Sequence, residues 1–297
     1  MPSWRLHRLV ANALTREVEG FAVWTPNAID KIDKIIDEDY GEHDLGRGPD
    51  PDSFHRLLRA LWLEFGDVYD PESGRLLRTS YGDRATFEQE VLARPELQYR
   101  YMIYVPDDVL VLALLHHILD LSMDFLLNND ISADESALMI EYARQKMKEY
   151  GIPTQLGELR TVDGRTFDEV LEWLLGVLRE RSRWLYSLMV GELRSKGLGP
   201  GQGPKALARL LAEFVRSKGY YGIVYVNGRW LPTAAAANFA FNELRKGKGV
   251  VLGFTIPTGP GLPPSTYIYE EVRASSLREL VEKLSKAARP RPTGLQG

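Results

Sequence analysis

The segment from Asp107 to Leu127 constrains this chain more than any other. It reads Asp-Asp-Val-Leu-Val-Leu-Ala-Leu-Leu-His-His-Ile-Leu-Asp-Leu-Ser-Met-Asp-Phe-Leu-Leu. Pro106 stops the strand-like stretch Arg100–Val105, and Asp107 can satisfy the first free amides of a helix. Apolar residues then fall on nearly every side rather than on one stripe. Such a helix is predicted to be central, wrapped by the rest of the fold. Its longest unbroken apolar run, Val109 to Leu115, is far shorter than the ~20 residues a bilayer needs. No membrane span and no membrane partner are therefore expected. The opening MPSWRLHRLV lacks a signal-peptide core, which predicts an intracellular, cytoplasmic protein.

Ionisable residues interrupt this apolar helix. His116, Asp120 and Asp124 recur at i, i+4 and i+8 and form one row, with His117 beside it. A buried row of this kind needs partners. One reading is a hydrogen-bonded His–Asp pair that orients core helices. The other is a divalent-metal site, because imidazole and carboxylate together suit Zn2+, Mn2+ or Fe2+. No second pair such as Glu-x-x-His lies on another helix, which counts against a four-helix di-metal site. His7, His43 and His55 are scattered, and the sequence alone does not bring them together.

Ahead of the central helix, a first helix is predicted over Ser3–Val18 with Ser3 as its cap. A second is capped by Asn27, with Ile29, Ile32, Ile35 and Ile36 on its core face and Asp30, Asp33, Asp37, Glu38 and Asp39 on the other. A loop rich in Gly, Pro and acids covers Tyr40–Asp52, and the acidic stretch Asp37–Asp44 that enters it faintly matches a calcium loop at Asp37, Asp39 and Gly41. Gly48 stands where that loop needs its closing Glu. A helix over Ser53–Phe65, a hairpin turning at Asp70–Gly74 and a helix over Thr86–Ala93 are expected next. Beyond the central helix, the capping box Ser132-Ala-Asp-Glu135 starts a helix that ends at Tyr150. A small hairpin turns at Asp163-Gly164, and one long helix runs from Phe167 to Lys196.

Gly197-Leu-Gly-Pro-Gly-Gln-Gly-Pro204 reads as a linker. Lys205 follows it, but Pro204 and Ala206 flank that lysine where a phosphate loop requires Gly and Ser or Thr. The remainder alternates regularly. A helix over Pro204–Lys218 leads to a hairpin with a type I′ turn signal at Asn227-Gly228. A helix over Thr233–Lys246, two strands and a helix opened by Ser276-Leu-Arg-Glu279 complete it. The expected fold class is α+β and helix-dominated. An acidic, mainly helical domain with small β elements covers 1–196, a glycine-rich linker 197–204, a basic α-ββ-α-ββ-α module 205–288, and a disordered tail 289–297.

Charge divides along the chain as well. Residues 1–149 hold 16 lysines and arginines against 28 aspartates and glutamates, a net −12, whereas residues 150–297 hold 21 against 13, a net +8. Such a split predicts modules with different partners, or halves that attract each other. Cysteine is absent, which excludes disulfides, thiolate nucleophiles and thiolate metal sites within the chain. The same composition suits a thermophile protein. Gly-x-Ser-x-Gly, His-Glu-x-x-His and a strand-to-helix Gly-x-Gly-x-x-Gly are all missing.

The leading expectation is a non-enzymatic protein that binds nucleic acid or another polyanion through the basic module and a protein partner through the acidic region, with no cofactor. Lys205, Arg209 and Arg216 form a cationic stripe on one helix. Tyr225, Arg229 and Trp230 follow on the hairpin, and Arg245, Lys246 and Lys248 end the next helix. Cations beside aromatics suit phosphates and stacked bases. The rival is a metal-dependent hydrolase, conceivably a nuclease, with His116, Asp120 and Asp124 as ligands to a divalent metal. A third reading is a scaffold that self-associates through its oppositely charged halves.

Overall fold

A computed structural model describes residues 3–21, 23, 27–39, 64–65, 67–69, 76–78, 102–104, 107–149, 165–257 and 267–288. The acidic loop from Tyr40, most of the helix expected at 53–65, the 70–74 turn, the 86–93 helix, the 163–164 turn and the C-terminal tail lie outside the described residues. The chain divides into two compact units. One combines Met1–Met123 with Ala133–Met189, the other Asp124–Ser132 with Val190–Gly297.

In the first unit, α1 (Trp4–Glu17) starts where Ser3 Oγ accepts the Leu6 N–H at 3.3 Å. Its inner stripe is Leu6, His7, Val10, Ala11 and Leu14. The next helix, α2 (Ala28–Lys34), runs into a π-helical turn, Ile35–Asp39. Asn27 does not cap it as expected: its backbone is left-handed, with φ of 55°, and its side chain makes no cap bond. Strands β1 (Asp67–Tyr69), β2 (Leu76–Arg78) and β3 (Met102–Tyr104) form an antiparallel sheet in the order β2-β1-β3.

The central helix, α3, spans Asp107–Asn128. By length and composition it could cross a membrane, but 89% of its apolar stretch is buried inside the protein. That burial marks it as a core helix. It is followed by α4 (Ala137–Glu149), α5 (Phe167–Glu180) and α6 (Ser182–Ser195). The last two replace the single helix expected over 167–196. The break falls at Arg181, where neither Gly nor Pro announces it. It is held by tertiary bonds: Arg181 Nη2 donates to Glu17 O at 3.2 Å, and the hydroxyls of Ser136 and Ser182 meet at 3.1 Å.

The second unit follows the expected order: α7 (Pro204–Ser217), β4 (Ile223–Val226), β5 (Arg229–Pro232), α8 (Thr233–Arg245), β6 (Val250–Phe254), β7 (Glu270–Ala274) and α9 (Leu277–Ala288). The four strands form an antiparallel sheet in the order β5-β4-β6-β7. Asn227 and Gly228 take φ of 43° and 91°, the positive pair a type I′ hairpin turn demands. Strand alternation turns Val224, Val226, Leu252, Phe254 and Val272 toward α7, α8 and α9, where Phe254 packs on Phe214 with ring centroids 4.7 Å apart.

The segment 197–204, expected as a linker, is bonded to the end of α3 within this unit. Gly201 N–H donates to Leu126 O at 3.1 Å and Gly203 N–H to Leu127 O at 2.6 Å. Gly203 begins α7 without a capping side chain, and Asn128 supplies one from α3: its Oδ1 accepts the Lys205 N–H at 3.0 Å. Asn128 Nδ2 is held by Asp124 O at 2.8 Å and Asp124 Oδ1 at 2.9 Å. One buried side chain thus serves two helix ends, satisfying the Lys205 N–H at the start of α7 and bonding the Asp124 carbonyl and carboxylate near the end of α3.

Candidate metal centre

Three helices of the first unit each bring ionisable residues to one point. His116 and Asp120 come from α3 and stand one turn apart. His7 comes from the inner stripe of α1. Asp33 comes from α2, and Asp37 from the π turn that follows it. In a π turn the side chains are offset from α-helical positions, and such turns recur at functional sites. Here the turn carries Asp37 to the same centre as Asp33, four residues earlier.

Asp33 is the hub. Its side chain is fully buried, and its Oδ1 accepts from both imidazoles, His7 Nδ1 at 2.9 Å and His116 Nδ1 at 2.7 Å. The rings lie edge to face, with centroids 4.5 Å apart. When the rings are neutral, two Nδ1–H donors on one carboxylate fix the tautomer of both and leave each Nε2 as a lone-pair donor. Those Nε2 atoms turn toward further carboxylates. His116 Nε2 lies 3.3 Å from Asp37 Oδ1 and 3.4 Å from Asp120 Oδ2, and His7 Nε2 lies 3.7 Å from Asp120 Oδ1. Trp4 Nε1 donates to the other oxygen of Asp37. His117 closes the group with its ring 5.4 Å from that of His116.

The electrostatics follow from this count. Three carboxylates and two neutral imidazoles sum to −3 in a site where His7, Asp33 and His116 are all buried. Isolated buried charge is costly, so the site needs positive charge. Protons can supply it. Burial pulls the His116 imidazole down, but Asp120, Asp33 and Asp37 outweigh it and hold its pKa up at about 11. Burial acts on His7 in the same sense, and Asp120 and Asp33 again raise it. A divalent cation supplies the same two charges. His7 Nε2 and Asp33 Oδ2 are buried without a hydrogen-bond partner among the described residues, so direct hydrogen bonds do not exhaust the group.

The spacing suits an ion. Ligand atoms held about 2.1 Å from a metal stand about 3.0 Å apart at right angles and about 3.4 Å apart at tetrahedral angles. His116 Nε2 stands from Asp37 and Asp120 at that tetrahedral spacing, 3.3 and 3.4 Å, and His7 Nε2 stands 3.7 Å from Asp120, slightly wider than it. Asp33 then stands behind the ligands, as the carboxylate partner of a ligating histidine does in many metal proteins. Asp37 and Asp120 retain 15% and 10% side-chain exposure, while His7, Asp33 and His116 are closed.

Of the row read from the sequence, His116 and Asp120 belong to this centre. Asp124 does not join them: its Oδ2 takes Lys205 Nζ at 2.8 Å. His7, Asp33 and Asp37 were not singled out as ligands in the sequence. A signal for the first two existed. His7 falls in register with Val10, Ala11 and Leu14. Asp33, expected on the face opposite the isoleucines, is fully buried instead, because it stands four residues after Ile29 and three before Ile36 and so borders their stripe.

The nine residues of the basic patch separate in the structure. Lys205 is bound by Asp124, and Arg209 Nη2 donates to Asn128 O, so these two serve the end of α3. Arg216 is exposed on the same helix. Tyr225 and Trp230 are cross-strand partners with ring centroids 5.5 Å apart. Arg229 lies over Phe239 at 5.3 Å, Arg245 over Phe241 at 5.8 Å, and Lys246 and Lys248 share Glu243 at 3.3 and 3.4 Å.

No protein-family model, curated protein or solved structure matches the chain.

Proposed function

We propose that the first unit is a metal-dependent hydrolase centred on one divalent transition-metal ion. His7 Nε2, His116 Nε2, Asp120 and Asp37 are the ligands, and Asp33 orients both imidazoles. The observation that carries this reading is the shared Asp33 carboxylate: it aims two imidazoles by their far nitrogens at two further carboxylates. A mixed nitrogen and oxygen set of this kind suits Zn2+, Mn2+ or Fe2+.

The bound ion would lower the pKa of a coordinated water to about 7 and so supply hydroxide at neutral pH. The protein's own groups do the rest. Asp37 and Asp120 form the solvent-facing side, so water and substrate reach the centre past them. Trp4 holds the outer oxygen of Asp37 and keeps its inner one on the site. Burial of the remaining three residues raises the strength of every charge interaction there.

The test is direct. Protein stripped with chelator and titrated with Mn2+ or Zn2+ takes up one equivalent and gains thermal stability, by about 2.7 kcal/mol at a hundredfold excess over Kd. Hydrolysis of chromogenic ester and phosphoester substrates depends on that ion and disappears in Asp120→Asn. Substoichiometric uptake with an unchanged Tm would refute the proposal.

A further inference from the structure

We infer, on the premise of the metal centre proposed above, that Trp4 is a positioning residue of that centre. By binding the outer oxygen of Asp37 it limits this carboxylate to one metal bond and so keeps a coordination position open for water. It acts through Asp37 and is not itself a ligand.

Helix α1 meets α2 and the π turn through a ladder of side-chain contacts that runs antiparallel. Arg8 Nε lies 3.3 Å from Asp30 Oδ1, His7 Nδ1 lies 2.9 Å from Asp33 Oδ1, and Trp4 Nε1 donates to Asp37 Oδ2. Trp4 and His7 stand at i and i+3 on α1, so they share a face. One helix thus delivers a proposed ligand and, a turn earlier, the donor that holds another. That first turn is fixed by Ser3, whose Oγ caps it through the Leu6 N–H.

The two carboxylates at the exposed edge of the centre are held differently. Asp120 turns both oxygens to the histidines, Oδ1 to His7 Nε2 at 3.7 Å and Oδ2 to His116 Nε2 at 3.4 Å. Asp37 turns one: its Oδ1 lies 3.3 Å from His116 Nε2, and its Oδ2 takes the indole N–H. An indole N–H is a donor only and offers a metal nothing to bind. It holds Oδ2 without competing for the ion. Because its acceptor is ionised, the bond is roughly twice as strong as one between neutral groups.

The consequence is a matter of counting. His7 Nε2, His116 Nε2, Asp120 and Asp37, with one atom each, give four protein donors. A catalytic ion needs a further position for water or substrate, and zinc expands to five ligands to provide it. Asp37 binding through both oxygens would fill that fifth position with protein. The indole prevents this. A role in support alone has the opposite signature, since loss of a group behind a ligand typically lowers metal affinity by roughly 10–100-fold.

Full-length wild type and Trp4→Phe are stripped with chelator and loaded with one equivalent of Mn2+. Pulsed EPR in H2O and D2O counts the water bound to the ion, competition against a chelator gives Kd, and a chromogenic phosphoester gives kcat and KM. The variant is expected to hold one water fewer, with Kd unchanged or lower, and to lose activity in kcat by roughly 10–100-fold. Trp4→Gln keeps an N–H donor and should retain the wild-type water count. In Asp37→Asn, which no longer offers two carboxylate oxygens, adding Trp4→Phe should change neither water count nor Kd. Circular dichroism confirms folding, and Trp4→Leu carries the test if Trp4→Phe fails that control. Equal water counts in wild type and Trp4→Phe, or a raised Kd in the variant, would overturn the inference and leave the centre standing. A wild type that takes up no Mn2+ would overturn both.

Discussion

Replacing Asp33 by Asn probes the centre at its hub. The substitution keeps the shape and one acceptor oxygen but removes the charge. Asp33 Oδ1 accepts two imidazole N–H groups, at 2.9 and 2.7 Å, in full burial. Bonds to a charged acceptor are worth about 1.5–3 kcal/mol and neutral ones about 0.5–1.5. Two weakened bonds therefore remove roughly 2–3 kcal/mol from the alignment of the imidazoles. Loss of a carboxylate behind a ligating histidine typically lowers metal affinity 10–100-fold, about 1.4–2.7 kcal/mol, which agrees. Isothermal titration of chelator-stripped wild type and Asp33→Asn with Zn2+, read against a competing chelator, measures this difference. The expected result is one site in both proteins, with Kd raised 10–100-fold in the variant. Equal Kd values would refute the orienting role of Asp33. A wild type without a site would refute the centre itself.

Four further outcomes follow from local geometry. Gly203→Ala drives a Cβ onto Asn128 Oδ1 and to 2.8 Å from Leu127 O, so it is expected to cost about 1–3 kcal/mol in denaturant melts. Gly176→Ala and Gly191→Ala lie inside α5 and α6 with nothing within 4 Å of the new Cβ. Each should add about 0.5–1 kcal/mol by the same measurement. Asn128→Ala removes the cap of α7 and should cost about 1–2 kcal/mol, visible as a lower Tm. At α9, the Lys283 ammonium, with Ser275, holds Glu279 down at about 2 against an ordinary 4.5. A depressed carboxylate stabilises the fold above its unfolded pKa and loses that contribution as pH falls through the folded one. Glu279→Gln should therefore flatten the acid limb of stability between about pH 4.5 and about pH 2, with equal slopes counting against the pairing.

The local signals in the sequence were strong where one element decides the outcome. The helix from Asp107, the type I′ turn at Asn227-Gly228 and the capping box before α9 all depend on neighbours within a few residues. So does the i, i+4 relation of His116 and Asp120. The rest of the centre depends on packing between distant elements. Asp33 and His116 are 83 residues apart, and no periodicity relates them. The π turn at Ile35–Asp39 also shifts Asp37 from the side an α-helical count assigns it. Asp124 continues the row by spacing, yet at the end of α3 it meets Lys205, and a pair decided by tertiary geometry replaces a ligand decided by spacing. The break at Arg181 and the bonded course of residues 197–204 have the same origin. Glycine and proline in that segment permit a close approach to α3 as readily as a free linker, and only the Leu126, Leu127 and Asn128 partners distinguish the two.

X-ray absorption spectroscopy of the protein loaded with one equivalent of Zn2+ looks straight at the proposed ligands. Two imidazole nitrogens at about 2.0–2.1 Å with carboxylate oxygens at about 2.0–2.2 Å are expected, falling to one imidazole in His7→Ala and in His116→Ala. An ion surrounded by oxygen alone, or an imidazole count unchanged in both variants, would contradict the account.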